Sequence, residues 1–316
     1  MDESYKISRK SVLITPARFL FKAGKTPKSW NEKMLLNEHF KVMYYVQDSS
    51  KVFPGTDIKG GVTISYHDND RVFGAIETYT AFDELNSIYK KVYHRNDFKS
   101  LSDYVFAPES YKLTEVLHSD FPNFVDRLSK GHKFDVTTNI FEKLPEIFTD
   151  DKPECESIQL IGRINNERVI KFVPKKYIKG PGNLDKYKVI LPKANGSGAI
   201  GEVLSTPLVG TPLVGTPLVG HTQTFISIGK LETLDEADSL FKYIKSKFAR
   251  TLLGVLKITQ DNKKGTWKYV PLQDFTVNSD IDWRQSVADI DLQLYKKYDL
   301  SPEEIAFIET HVREMD

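Results

Sequence analysis

A mixed α/β architecture follows from three patterns in the sequence. The first eighty residues run strand, helix, strand, strand. Short β-branched runs separated by basic turns follow between residues 158 and 228, and two helices with explicit capping signals lie beyond them.

The elements read as follows. Residues 11–20 open with Ser11-Val12-Leu13-Ile14-Thr15, a buried strand stopped by Pro16, whose ring fixes φ and removes a donor. Residues 30–37 are a short helix candidate and residues 41–46, Lys41-Val42-Met43-Tyr44-Tyr45-Val46, a second strand. A Pro54-Gly55 turn, a polar loop and the Gly60-Gly61 pair lead into Val62-Thr63-Ile64-Ser65-Tyr66, a third strand of alternating β-branched residues. Standing alone, this half-sheet is expected to expose an open edge and an uncovered face, which is a physical argument for a missing partner. From Phe82 the apolar spacing turns helical, and short helices are expected up to about residue 150. Residues 158–161, 169–173, 187–191 and 222–228 read as strands. Thr233-Leu234-Asp235-Glu236 is a capping box that starts one long helix, with Ala237, Leu240, Phe241, Ile244 and Phe248 as its buried stripe. Ser301-Pro302-Glu303-Glu304 starts the last helix: a capping serine, proline in the first turn, and acids at the positive dipole end.

Residues 206–220 are three perfect copies of Thr-Pro-Leu-Val-Gly. Proline every fifth residue forbids a regular helix, and the unit is far shorter than a solenoid repeat. The array is therefore expected to be a length-variable connector, an adjustable spacer or a surface-loop expansion, and not core. Units of five codons can be gained or lost without shifting the reading frame.

Composition narrows the function. The 316 residues, 40% hydrophobic, can bury one large or two ordinary cores. Net charge is +1, so no global electrostatic pull toward nucleic acid exists, but the charge is unevenly placed. Residues 152–200 hold ten Lys/Arg against four Asp/Glu, whereas residues 271–316 carry an acidic excess. The single cysteine, Cys155, excludes an intramolecular disulfide and a thiolate cluster, consistent with a reducing cytoplasm. With no apolar signal core and no run near the ~20 apolar residues of a membrane helix, a cytoplasmic protein is expected. No Glu-x-Lys pair of a metal-dependent nuclease, no His-x-x-x-His and no Gly-x-Ser-x-Gly occurs, so no metal or catalytic residue is assigned.

Val52-Phe53-Pro54-Gly55-Thr56-Asp57-Ile58-Lys59-Gly60-Gly61-Val62 and Ile14-Thr15-Pro16-Ala17-Arg18-Phe19-Leu20 resemble the late methylase region of restriction–modification N6-adenine DNA methyltransferases of type II/IIG kind. Lys245-Ser246-Lys247-Phe248-Ala249-Arg250, Val270-Pro271-Leu272-Gln273-Asp274-Phe275 and the final helix resemble that family's C-terminal recognition region. The resemblance implies the C-terminal remnant of a Rossmann-like methyltransferase sheet (residues 1–80), a helical connector (81–150) and a mixed α/β target-recognition domain that binds double-stranded DNA (151–316). Two motifs the family needs are absent: the Gly-rich turn for S-adenosylmethionine and the Asn/Asp-Pro-Pro-Tyr/Phe loop that holds the flipped adenine. Gly180-Pro181-Gly182 and Gly196-Ser197-Gly198 lack a strand–turn–helix frame. Residues 1–8 resemble an internal helix of longer members, so the resemblance implies a start in mid-domain. The chain alone is expected to bind no cofactor and to transfer no methyl group. A separate catalytic methylase half would bind S-adenosylmethionine in the complete enzyme.

Within the region that the resemblance assigns to recognition, Arg163, Asn165, Arg168, Lys171, Lys175 and Lys176 combine guanidinium forks, amides and ammonium groups, the chemistry that reads guanine, reads adenine and grips phosphate. Lys193 and Asn195 form a second polar loop. Lys245, Lys247 and Arg250 are candidates for bracing the phosphate backbone from a helix, and Lys59 for approaching DNA beside the Gly pair. The blander alternatives are solvated faces and tight turns. Two further functions stay open: an inactive truncated remnant, and a protein-interaction module that uses the basic face.

Overall fold

The computed structural model describes residues 1–22, 25–58, 60–194, 213–257 and 261–315, and over these the protein is mixed α/β, with several small sheets and short helices. Lys59, Asn195, the Gly196-Ser197-Gly198 turn and the first pentapeptide copy lie outside the described residues.

α1 (Asp2–Ile7) leads into β1 (Lys10–Pro16), and α2 (Lys28–Leu35) joins β1 to β2 (Phe40–Val46). β3 (Val62–Asp68) then inserts between them, antiparallel to both, giving the order β1-β3-β2. One face is covered: Ala17, Phe19, Leu20, Met34, Leu35 and Phe40 bury a small core beneath the sheet. On the other face the register aligns Ile14, Ile64 and Tyr44 in one row across all three strands. Ile14 is 55% and Tyr44 61% exposed, with Val12 and Met43 exposed beside them. The uncovered face expected from the sequence is therefore real, and β1 has a free edge among the described residues. The Gly pair serves this sheet: at Gly61, with φ +74°, an added Cβ would stand 2.3 Å from the Val46 carbonyl oxygen.

Residues 81–150 divide between two cores. α3 (Asp83–Tyr93) and β4 (Val105–Phe106) bury Leu85, Ile88, Tyr89, Val92 and Val105 in the large core with the C-terminal helices. β5 (Lys112–Leu113), α4 (Glu115–Asp120) and α5 (Ile140–Lys143) build a second core, in which Tyr111, Leu117, Ile140 and Phe141 meet Ile158, Leu160 and Val173. Those last three come from β6 (Ser157–Ile164) and β7 (Glu167–Pro174), a continuous antiparallel hairpin. β8 (Ile178–Lys179) pairs with β5, and β9 (Tyr187–Pro192) begins the central strands.

The described part of the pentapeptide array forms two short strands joined by a turn, which corrects the expectation of a connector. β10 (Leu213–Gly215) pairs antiparallel with β9, and β11 (Val219–His221) pairs parallel with β6. Proline forbids helix but leaves the residues after it free for a short strand, Leu213-Val214-Gly215 in the second copy and Val219-Gly220 in the third. β12 (Phe225–Leu231) completes the four-stranded order β10-β9-β12-β4, beside the three-stranded β11-β6-β7.

α6 (Leu234–Lys245) and α7 (Lys247–Gly254) replace the single long helix expected, so Phe248 belongs to the second helix. The break is at Ser246, whose extended ψ of 146° lets its hydroxyl accept from the Ala249 N–H at 3.1 Å. Asp291 of α8 (Val287–Lys297) accepts from the Lys247 and Phe248 N–H groups, both at 2.9 Å, so α7 starts on two caps. α9 (Pro302–His311) carries the reciprocal Ser301–Glu304 capping box that its sequence announces. Among the described residues no helix is long and apolar enough to cross a membrane.

Candidate nucleic-acid interface

The β6–β7 hairpin is turned by Asn165 and Asn166, with φ of 51° and 65°. Two consecutive left-handed residues make the tight turn whose twist matches that of the flanking strands, and asparagine tolerates it best after glycine. The two amides thus have a backbone reason for their place, and both are exposed at the tip. One step from the turn pair, Ile164 faces Glu167, and one further step in, Arg163 faces Arg168 directly across the ladder. Like charges opposite each other destabilise a hairpin. Burial is the larger cause that lowers the Arg168 pKa, with Arg163 adding to it. Arg168 stacks its guanidinium over the Phe225 ring, 5.4 Å from the centroid. Phe225 is in turn the register partner of Pro192, so Lys193 extends from the same end of the neighbouring strands.

The lysines of this region are placed differently. Lys171 donates to Asp150 at 2.5 Å, Lys175 to Glu156 at 2.8 Å and Lys176 to Asp120 at 2.7 Å. Asp120 and Asp150 come from outside the basic stretch, so tertiary pairing drains the positive excess that the sequence displays. Lys186 pairs with Glu232 in the same way. Arg163 has no carboxylate partner among the described residues.

Lys245, Lys247 and Arg250 do come together, but around a small cleft of the large core and not beside the hairpin. The cleft holds about 150 Å³ and is also lined by Asp291, Glu309 and Glu314. Arg250 is buried, donating through Nε to the Lys245 carbonyl at 3.0 Å and through Nη2 to the Arg313 carbonyl. Burial lowers its pKa to about 10. Lys247 is held by Glu309 at 2.5 Å, and Lys245 lies 5.2 Å from the Phe241 ring centroid. Arg250 and Lys247 are therefore engaged in the helix packing.

Sequence reasoning missed a buried polar cluster behind the hairpin. Lys188 donates from Nζ to the carbonyls of Leu184 at 3.0 Å and Val219 at 2.9 Å. His221 Nε2 lies 3.2 Å from Ser227 Oγ, to which Asn183 donates at 3.1 Å, and the Tyr111 ring meets the imidazole edge-on. Burial lowers the Lys188 pKa to about 7 and the His221 pKa to about 4. Nothing in a local window marks these groups, because the strand that carries Lys188 is buried on both faces only after Val189 and Leu191 have packed into the large core and Ile190 has met Ile161 and Val219 on the other side.

No protein-family profile matches the chain, and no curated relative matches it. Among solved structures, it is similar to the structure described as "Characterization and crystal structure of the type IIG restriction endonuclease BpuSI". Identity is 10% and the TM-score 0.37, with 96% of this chain covered. The chain spans 46% of that protein's length.

Proposed function

We propose that this chain is the sequence-recognition part of a restriction–modification adenine methyltransferase, and that it presents the β6–β7 hairpin to the major groove of duplex DNA. The observation that carries this reading is the exposed Arg163–Arg168 pair beside the Asn165–Asn166 tip. A two-stranded ribbon fits a groove about 12 Å wide, and arginine pairs bidentately with guanine there. An anionic groove would also relieve the repulsion between the two guanidinium groups. The motif resemblances add their weight from the sequence side.

Catalysis on this reading belongs to a catalytic methylase half, a separate polypeptide or an N-terminal region not in this sequence. The free edge of β1 and the apolar row Ile14–Ile64–Tyr44 offer a sheet on which a catalytic half would dock. On this reading that half would bind S-adenosylmethionine as methyl donor, and two glycines of this chain are taken up by packing. Gly61 is packed against the backbone of Val46 and Gln47, and a Cβ at Gly180 would stand 2.6 Å from the Leu184 side chain. Gly55, by contrast, faces open space, and Gly182 nearly so.

The test is selection of binding sequences from a random duplex library by the purified chain, followed by titration at two salt concentrations. A selected site should emerge, and Arg163→Ala with Arg168→Ala should relax it, at a cost of roughly 1–3 kcal/mol for a base-reading residue. Lys152→Ala, an exposed lysine away from the tip, should leave the site unchanged. If no sequence is enriched, or the double arginine variant selects the same site with the same affinity, the hairpin assignment is wrong.

A further inference from the structure

The recognition reading leaves the pentapeptide array unused. Its second and third copies each place a valine and a glycine in a strand, with different partners. Leu213, Val214 and Gly215 face Ile190, Val189 and Lys188. Val219 and Gly220 face Gln159 and Leu160, and the next residue, His221, faces Ile161. Both glycines occupy seats where a side chain would crowd its neighbours. A Cβ at Gly215 would stand 2.8 Å from Ile190 Cδ1, and one at Gly220 would stand 2.5 Å from Tyr111 Cε1. Lys188 ties the two copies together. Its stem would lie 3.1 Å from that Cβ at Gly215, while its Nζ holds the Val219 carbonyl at 2.9 Å.

The seats are five residues apart, which is the period of the array. Sliding the chain by one to four residues brings valine, leucine, proline or threonine to both seats. Sliding it by five restores glycine at both. The slide is also anchored at one end only. His221 and Thr222 follow the last copy, are not repeated, and are buried, with the Thr222 N–H donating to the Ile161 carbonyl at 2.9 Å.

We propose that the array is a register-locked length cassette counted from its C-terminal end. The last two copies fill β10 and β11 whatever the total, and every additional copy changes only the length of chain between β9 and β10. Copy number can then vary at the gene level while the two sheets stay the same. This goes beyond the recognition reading and stands without it, because it concerns strand register alone.

The experiment compares chains of one, two, three and four copies by thermal melting and by hydrogen exchange over β10 and β11. Two, three and four copies should melt within about a degree of each other, since a doubled loop length changes the closure cost only by about 0.6 kcal/mol. They should also protect the same strand amides. The one-copy chain brings Ser205 to the seat of Gly215, and should melt several degrees lower with β10 unprotected. Glycine-to-alanine changes in the four-copy chain give the decisive reading. Alanine in either of the last two copies should lower the melting temperature, and alanine in either of the first two should be silent. A loss of stability in proportion to each copy removed would overturn the cassette. So would a four-copy chain whose sensitive glycines lie in its second and third copies, because register would then be counted from the other end.

Discussion

Replacing Lys188 by methionine should remove a rise of stability with pH that the native chain shows above neutrality. The side chain is buried, with Nζ donating to the carbonyls of Leu184 and Val219. Burial is the dominant cause that lowers its pKa from 10.5 to about 7, against a smaller attraction from Asp185. In the unfolded chain the ammonium keeps its proton up to about 10.4. Between these values the unfolded state binds a proton that the folded state lacks, so stability climbs as pH rises. The penalty for burying the group is full well below pH 7 and fades as pH approaches the unfolded value. From pH 7 to pH 9 the linkage amounts to about 2 kcal/mol, at about 1.4 kcal/mol per pH unit less the half-titration at the start. Methionine keeps most of the stem's volume but strands two carbonyl oxygens, an offset of about 1–3 kcal/mol for each unsatisfied group that does not vary with pH. Urea unfolding of both proteins at pH 7, 8 and 9, followed by tryptophan emission, separates the offset from the slope. The native chain should gain about 2 kcal/mol relative to the variant across that interval. Parallel stability curves would refute the reasoning and mean that Lys188 keeps its charge in the fold.

Three other outcomes are expected. Gly220→Ala should cost about 1–3 kcal/mol, since its Cβ would overlap the Tyr111 ring, and Tyr111→Leu in the same chain should recover part of the loss in thermal melting. Asn165→Ala forces a left-handed turn on alanine and should destabilise by about 1–2 kcal/mol, whereas Asn166→Gly should melt at or above the native temperature; a silent Asn165→Ala would exclude the turn geometry. Ile14→Asp with Tyr44→Asp, on the uncovered sheet face, should shift stability by no more than about 0.5 kcal/mol per site. That pair should also lower the binding of an apolar dye such as anilinonaphthalene sulfonate, and undiminished dye fluorescence would place the exposed apolar surface elsewhere.

Much of the secondary structure was legible because it is locally encoded. β1, β3 and α9 begin and end within a few residues of where alternation, Pro16 and Ser301 place them, and α6 begins where Thr233 places it. The helix break at Ser246 was hidden because the apolar stripe runs through it unbroken. What ends α6 is a better set of acceptors, one of them a carboxylate from α8. The basic stretch was legible as charge but not as surface. Which of its lysines stay available depends on Asp120 and Asp150, placed beside them only by the fold. Arg250 reads like its neighbours Lys245 and Lys247, yet α7 is buried on nearly all sides, and its guanidinium closes backbone carbonyls instead of facing solvent.

The pentapeptide array marks the boundary between the two kinds of information. By itself the sequence determined that these residues cannot be helix, that they carry paired apolar side chains, and that glycine returns every fifth position. It could not determine their conformation, because identical residues adopt different ones. Leu213 pairs in an antiparallel strand, whereas Leu218, in the same place of the next copy, sits at φ 62° in a tight turn. A left-handed leucine costs about 1–2 kcal/mol, and its one local offset, the Val219 N–H donating to the Thr216 carbonyl at 3.2 Å, is a bond that the same residues offer in every copy. What holds it are partners distant in the chain: its N–H donates to the Leu184 carbonyl at 2.8 Å, and its own carbonyl accepts from the Gln159 N–H at 2.9 Å. Equal local preferences leave the choice to long-range hydrogen bonds and to the two glycine seats, and those exist only once β6, β9 and Tyr111 have come together.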